Sequence, residues 1–209
     1  MCFSAPASFA ASAALLTISV TLLSKIKTPR LFALALVPLF FGLQQAAEGW
    51  LWYSDKQSYP AQLIFTFFAF FFWPIWTPFS FWIAEPLKEK KAILMNFVSI
   101  GTLVGLIYFP VISDITVGGC SRSIFYDLPL FGSVASSHMI GIAYAVATLS
   151  PFFLSSLKGM WGVGLLGTIA CAMTFILDEL CFASLWCFFM AIISLALLYV
   201  LPKNEAKRS

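Results

Sequence analysis

Four ionisable side chains stand inside otherwise apolar stretches of the chain: Glu48, His138 and the adjacent pair Asp178 and Glu179. Carboxylates and an imidazole can hold a cation, pass a proton or bind a polar ligand. In hydrocarbon such groups cost roughly 2.5–3.5 kcal/mol each at mid-depth, less toward the surface, so they face a bundle interior or a cavity. Gln45 lies one helical turn before Glu48 and can share its ligands. Near the chain start, Cys2 follows Met1, and removal of that methionine would set an amine beside a thiol, a metal chelator or nucleophile. Ser4 stands close by. The candidate ligand-binding set is therefore Glu48, His138, Asp178, Gln45, Cys2 and Ser4. Each also has a plainer reading: acids at a headgroup boundary, a hydrogen-bonded packing histidine, and a small residue anchoring the N-terminus.

Helical spacing groups these residues, because positions three and four apart share a face. Phe41, Gln45, Glu48 and Trp52 form one stripe, with Gln44 beside Glu48. Ala135, His138, Gly141, Ala145 and Thr148 form a second. Gly164, Gly167, Cys171, Thr174, Asp178 and Cys181 form a third, small and polar. Small residues permit close helix approach in a membrane, so these stripes are expected to face protein.

The elements that must carry them follow from composition. Of 209 residues, 61% are hydrophobic and only 10% charged, against about 25% charged in soluble domains, and the mean hydropathy is +0.94. About 20 apolar residues span a hydrocarbon core of roughly 30 Å. Seven such segments can be read, at 7–23, 31–52, 61–84, 92–110, 130–149, 160–182 and 184–201, with Ala183 and Ser184 as the turn between the last two. The expected fold is an all-α, seven-transmembrane-helix bundle forming a single domain over 1–209. No basic region precedes the first segment, so no cleavable signal is expected and helix 1 is its own insertion signal.

Orientation follows from the cations. Lys25, Lys27, Arg30, Lys88, Lys90, Lys91, Lys158, Lys203, Lys207 and Arg208 fall at one set of alternate segment ends, and only Lys56 and Arg122 at the other. Loops rich in Lys and Arg stay cytoplasmic, which puts the N-terminus outside and the C-terminus in the cytoplasm of an inner or plasma membrane. The partner is a lipid bilayer. A nucleic-acid partner is not expected, because the cations punctuate loops rather than form a patch. Glu48 lies 18 residues past Arg30, about 27 Å along a helix, and Asp178 lies 20 residues past Lys158. The polar set therefore gathers in the outer half.

The longest outer connection, 111–129, reads as a lid or cover. The stretch FTFFAFFFWPIWTPFSFW reads as lipid-facing bulk with interfacial aromatics, loosened by Pro74 and Pro78. Cys2, Cys120, Cys181 and Cys187 belong to the outer half, where a disulfide involving Cys120 is chemically allowed, and Cys171 is deep.

The opening MCFSAPASFAAS, then PLFFGLQQAAEGWLW, FWPIWTPFSFWIAEP, YDLP, SPFFLSS and ASLWCFFMAIIS cover nearly the whole chain. Together they resemble an uncharacterised bacterial multi-pass membrane family of unknown function whose members begin Met-Cys-Phe-Ser. The resemblance implies that Cys2, Phe3, Ser4, Gln45, Glu48, Trp186 and Cys187 belong to the family pattern. It implies no activity.

Three functional readings stand. The favoured one is a membrane protein with an outward-facing polar pocket that binds or transports a small molecule or ion. A metal-assisted membrane hydrolase would need a mixed ligand set around the single histidine. An accessory or structural subunit would need no pocket. A retinal pigment is excluded, since 184–201 contains no lysine. P-loop, GxGxxG, GxSxG, HExxH and CxxC patterns are absent, which leaves soluble-enzyme chemistry without a foothold. Metal and cofactor content, and whether the chain is an enzyme, are not legible.

Overall fold

The computed structural model describes residues 4–120, 123–127, 134–177 and 181–205. They are mostly helical: α1 (Ala5–Lys25), α2 (Pro29–Ala35), α3 (Val37–Tyr53), α4 (Tyr59–Thr66), a π-helical segment (Phe67–Phe72), α5 (Trp73–Ala84), α6 (Lys88–Tyr108), a 3-10 turn (Phe109–Asp114), α7 (Val134–Leu154), α8 (Met160–Leu177), α9 (Phe182–Ser194) and α10 (Leu197–Glu205). The apolar segments fall in helical stretches wherever they are described, 31–52, 61–84 and 184–201 each being divided among more than one helical piece. Five stretches among the described residues are long and apolar enough to cross a membrane: Ala5–Lys25, Pro29–Tyr53, Tyr59–Ala84, Lys88–Asp114 and Met160–Leu177. A sixth arises if α9 and α10, bent by 42°, count as one span, and His138–Leu154 is a shorter apolar helix.

Helix starts and breaks follow the prolines. Pro6, Pro29 and Pro60 stand in first turns, where the missing N–H costs nothing. Pro38 cannot bond back to Leu34, and the chain breaks at Leu36 between α2 and α3. Pro74 has a larger consequence. The Trp73 N–H reaches back five residues to the Phe68 carbonyl, the π pattern, and the next such bond would run from residue 74 to Ala69. Proline has no N–H to give. The Ala69 carbonyl instead accepts the Tyr144 hydroxyl of α7 at 2.7 Å. A buried carbonyl left unpaired would cost about 1–3 kcal/mol, so Pro74 and Tyr144 act together to keep the widened turn.

Close helix approach is written in small residues. On α1 the buried positions Ser8, Ser12, Leu15, Ser19 and Leu22 recur at four- and three-residue steps. They face α3, where Ser12 Oγ donates to the Gly42 carbonyl at 2.8 Å. On α6, Gly101 and Gly105 are four apart and face α5. A Cβ on Gly101 would lie 1.8 Å from the Pro74 carbonyl oxygen, and one on Gly105 3.1 Å from that of Phe71. Only glycine lets α6 meet the widened turn. On α8, Gly164 and Gly167 pack against Phe152 and Leu149 of α7, and Thr174 is also buried, as expected for that stripe.

The structure changes several expectations. The all-α class gains two strands, β1 (Thr116–Cys120) and β2 (Ser123–Asp127), paired antiparallel with Val117 opposite Tyr126 and Gly118 opposite Phe125. They occupy what reads in the sequence as an irregular loop. The Phe125 ring covers Gly118, where a Cβ would meet it at 2.2 Å. Tyr126 stacks on Phe65 of α4 with centroids 4.5 Å apart, and Gln62 donates to the Ile115 carbonyl, so the hairpin caps one end of the bundle. Ala183 and Ser184 are not a turn but lie in the first turn of α9. The final segment is not straight: Ser194 Oγ competes for the Ala191 carbonyl, and i to i−3 bonds tighten residues 195–199 before α10.

At the end opposite the hairpin, side chains tie the connections together. Glu85, 1% exposed, accepts the Leu87 N–H on Oε1 and the Ser156 N–H on Oε2. Asn204 exchanges two bonds with the Lys158 backbone. Glu205 Oε1 accepts the N–H groups of Lys27 and Thr28 and the Thr28 hydroxyl. These groups satisfy orphan donors at or just before the starts of α2, α6 and α8.

Candidate functional site

The buried polar residues of α3 are consecutive in space. Gln44, Gln45 and Glu48 are all fully buried, since α3 runs between α1 and α9 with its polar stripe facing α9. Glu48 Oε1 accepts the Ser184 hydroxyl at 2.5 Å, and Oε2 accepts the Gln45 amide at 3.3 Å. Bonds to both oxygens fix the plane of the carboxyl group. One turn earlier, Trp73 Nε1 donates to Gln44 Oε1 at 2.7 Å. Indole can only donate, so it turns the Gln44 oxygen toward α5 and the amide N–H groups away. Gln44 Nε2 accordingly donates to Cys187 Sγ at 3.1 Å. Phe41 stacks on Trp73 at 3.9 Å between centroids and holds the indole in place. Three helices thus share two neighbouring polar chains, Ser184–Glu48–Gln45 and Cys187–Gln44–Trp73.

Cys187 lines two partly open spaces. One, about 110 Å³, is lined by Phe70, Tyr108, Tyr144, Cys171, Phe182 and Trp186, with Ala69, Gly141, Ala145 and Ala183 completing it. The other, about 40 Å³, lies toward Phe41, Trp73, Ser80 and Met190. The π segment contributes Ala69 and Phe70 to the larger space, so the widened turn opens directly onto it. A water needs about 10–15 Å³ of such volume, so the larger space holds several waters or one small molecule. Its walls are chiefly aromatic and aliphatic, with thiols and phenols as the polar groups. Such a lining orients a mainly apolar ligand through a few polar contacts.

The expected site residues separate under this geometry. Gln45 and Glu48 form one of the two polar chains with Ser184. Ser4 is half-buried just before α1, its carbonyl accepting the Ser8 N–H. On α7, His138 and Gly141 are exposed, while Thr148 of the same stripe is buried beside Ala147, with Tyr144 and Ala145 half-buried. Asp178, Glu179 and Cys2 lie outside the described residues. Among the described residues, no group of three or more His, Cys, Asp and Glu is placed to hold a metal ion.

Sequence reasoning passed over Ser184, Cys187 and Trp73 as site members. Ser184 and Cys187, three apart in ASLWCF, mirror the spacing of Gln45 and Glu48, and that match was the available signal. The aromatic stretch is also less lipid-facing than expected: Phe65, Phe68, Phe70, Trp73 and Phe81 are buried, while Phe67 is exposed.

A family model described as a family of unknown function (DUF6629) matches residues 1–209, and the chain belongs to that family. Neither the curated proteins nor the solved structures include a match to it.

Proposed function

We propose that this member of a family of unknown function is an inner- or plasma-membrane protein that crosses the bilayer seven times, N-terminus outside, and binds a small molecule or ion at a core site. The site is centred on Glu48, Gln44, Gln45, Ser184 and Cys187. One observation carries the reading. A fully buried carboxylate is held on both oxygens by side chains of α3 and α9, and those same helices place Cys187 on a 110 Å³ space. Polar groups that served packing alone would be costly here, because burying them needs several partners in fixed geometry.

The orientation is supported by ten cations gathered at alternate segment ends against two at the others, and by the contacts that bring residues 27–28, 85–87, 156–158 and 204–205 to one end. In that orientation the Glu48 network sits in the outer half beneath the hairpin. His138, Asp178, Cys2 and Ser4, which the order of the segments assigns to the same half, complete the proposed set.

Native mass spectrometry of protein extracted in mild detergent without chelators tests the reading. A stoichiometric low-mass species is expected on the wild type and on Lys56→Gln, and its loss from Glu48→Gln. Equal retention by Glu48→Gln, or no bound species at all, contradicts the proposal.

A further inference from the structure

The charges of the two ends differ by more than orientation requires. Among the described residues, the end opposite the hairpin has eight of the nine cations but only three acids, Glu85, Glu89 and Glu205. Two of those three are withdrawn from the surface. Glu85 is buried and spends both oxygens on backbone N–H groups. Glu205 spends Oε1 on three donors of the 27–28 segment, and its Oε2 is buried. Lys25, Lys27, Arg30, Lys88, Lys158 and Lys203 are exposed. None of them forms an ion pair among the described residues, where Lys56–Asp55 at the other end is the pair formed.

The same clamps bring the cations together. Glu205 draws Lys27 to the end of α10, Asn204 draws Lys158 there, and Lys203 is their immediate neighbour. Their depth is marked as well: Lys91 Nζ rests 4.4 Å from the Trp82 ring centroid and Lys203 Nζ 3.4 Å from that of Tyr199. Aromatic rings paired with cations at a span end mark headgroup level.

We propose that this end is a binding surface for anionic phospholipid, with Lys27, Lys158 and Lys203 around Asn204 as the seat for the headgroup phosphate. Free acids on this surface would compete with phosphate; folding has used two of them as helix-start acceptors instead. The inference goes beyond the core site but rests on the same membrane orientation.

Phosphatidylglycerol and phosphatidylcholine titrated separately into the purified full chain in neutral detergent provide the test. Phosphatidylglycerol is expected to bind at least about tenfold more tightly, and to weaken as salt rises. Each cation near an anionic surface is worth roughly fivefold, so the triple variant Lys27→Gln, Lys158→Gln, Lys203→Gln is expected to lose about a hundredfold. Lys56→Gln at the other end leaves binding unchanged. Equal affinity for the two lipids, or an unchanged triple variant, overturns the proposal. So does displacement of the lipid by an equal concentration of inorganic phosphate or an acidic peptide. If the triple variant does not fold, the salt dependence of the wild type decides: affinity independent of salt overturns it. Micelles impose no orientation, so failure here leaves the core site and the topology standing. Impermeant labelling that put Lys90 and Lys203 on different faces would remove the topology without altering the measured affinity.

Discussion

The two ends of the molecule bury acids for different purposes. Glu85 and Glu205 accept backbone N–H groups at the starts of helices, a use that any helix beginning in a tight connection can make of a carboxylate. Glu48 lies within α3, where the helix satisfies its own backbone, and the side chains of Gln45 and Ser184 bond its two oxygens. A capping acid replaces the water that a helix start would otherwise bind. A carboxyl bonded by side chains of two helices inside a helix joins α3 to α9 rather than capping a helix start. That contrast in how buried acids are bonded is what motivates the proposed core site at Glu48.

The largest expected effect breaks both ends at once. Gly101→Ala puts a Cβ into the Pro74 carbonyl, and with backbone on the other side the neighbour cannot yield. A cost above about 3 kcal/mol is expected, read as loss of folded protein on size exclusion. Glu85→Ala comes next. It removes the acceptor of two N–H groups in a part-buried connection and is expected to cost about 1–3 kcal/mol in total, seen as a lower Tm with the core species still bound. Tyr144→Phe removes one bond to the Ala69 carbonyl. A loss of about 1–2 kcal/mol is expected, with weakened ligand retention, because the π turn borders the larger cavity. Cys187→Ser is the mildest: about 1 kcal/mol or less in Tm, since the hydroxyl can still accept from Gln44, but with altered ligand affinity if the thiol faces the ligand.

Most of the architecture was legible because a bilayer leaves few choices. Apolar runs and their lengths locate the five long apolar stretches within a few residues, but not the break at Leu36 or the bend between α9 and α10. The hairpin was not, since five-residue strands containing Gly118 and Gly119 lack the alternation that marks a strand, and Phe65 of another helix supplies the packing. The π segment was not, because its stability comes from Tyr144, 75 residues away. Glu48 and Gln45 could be chosen from one helix alone. Ser184 could not, because its role exists only across the α3–α9 contact, and the short gap before α9 made it look like a turn. Trp73 was lost among so many aromatics that composition gave it no distinction; its indole N–H, which must find an acceptor when buried, was the clue.

The contrast between the ends is tested most directly by making Glu48→Gln and Glu85→Gln side by side. Thermal unfolding and retention of the bound low-mass species are then measured on the same preparations. Glu48→Gln is expected to unfold within a few degrees of wild type and to lose the species; Glu85→Gln is expected to unfold earlier and keep it. Retention by Glu48→Gln, or loss from Glu85→Gln while it remains folded, would contradict the account.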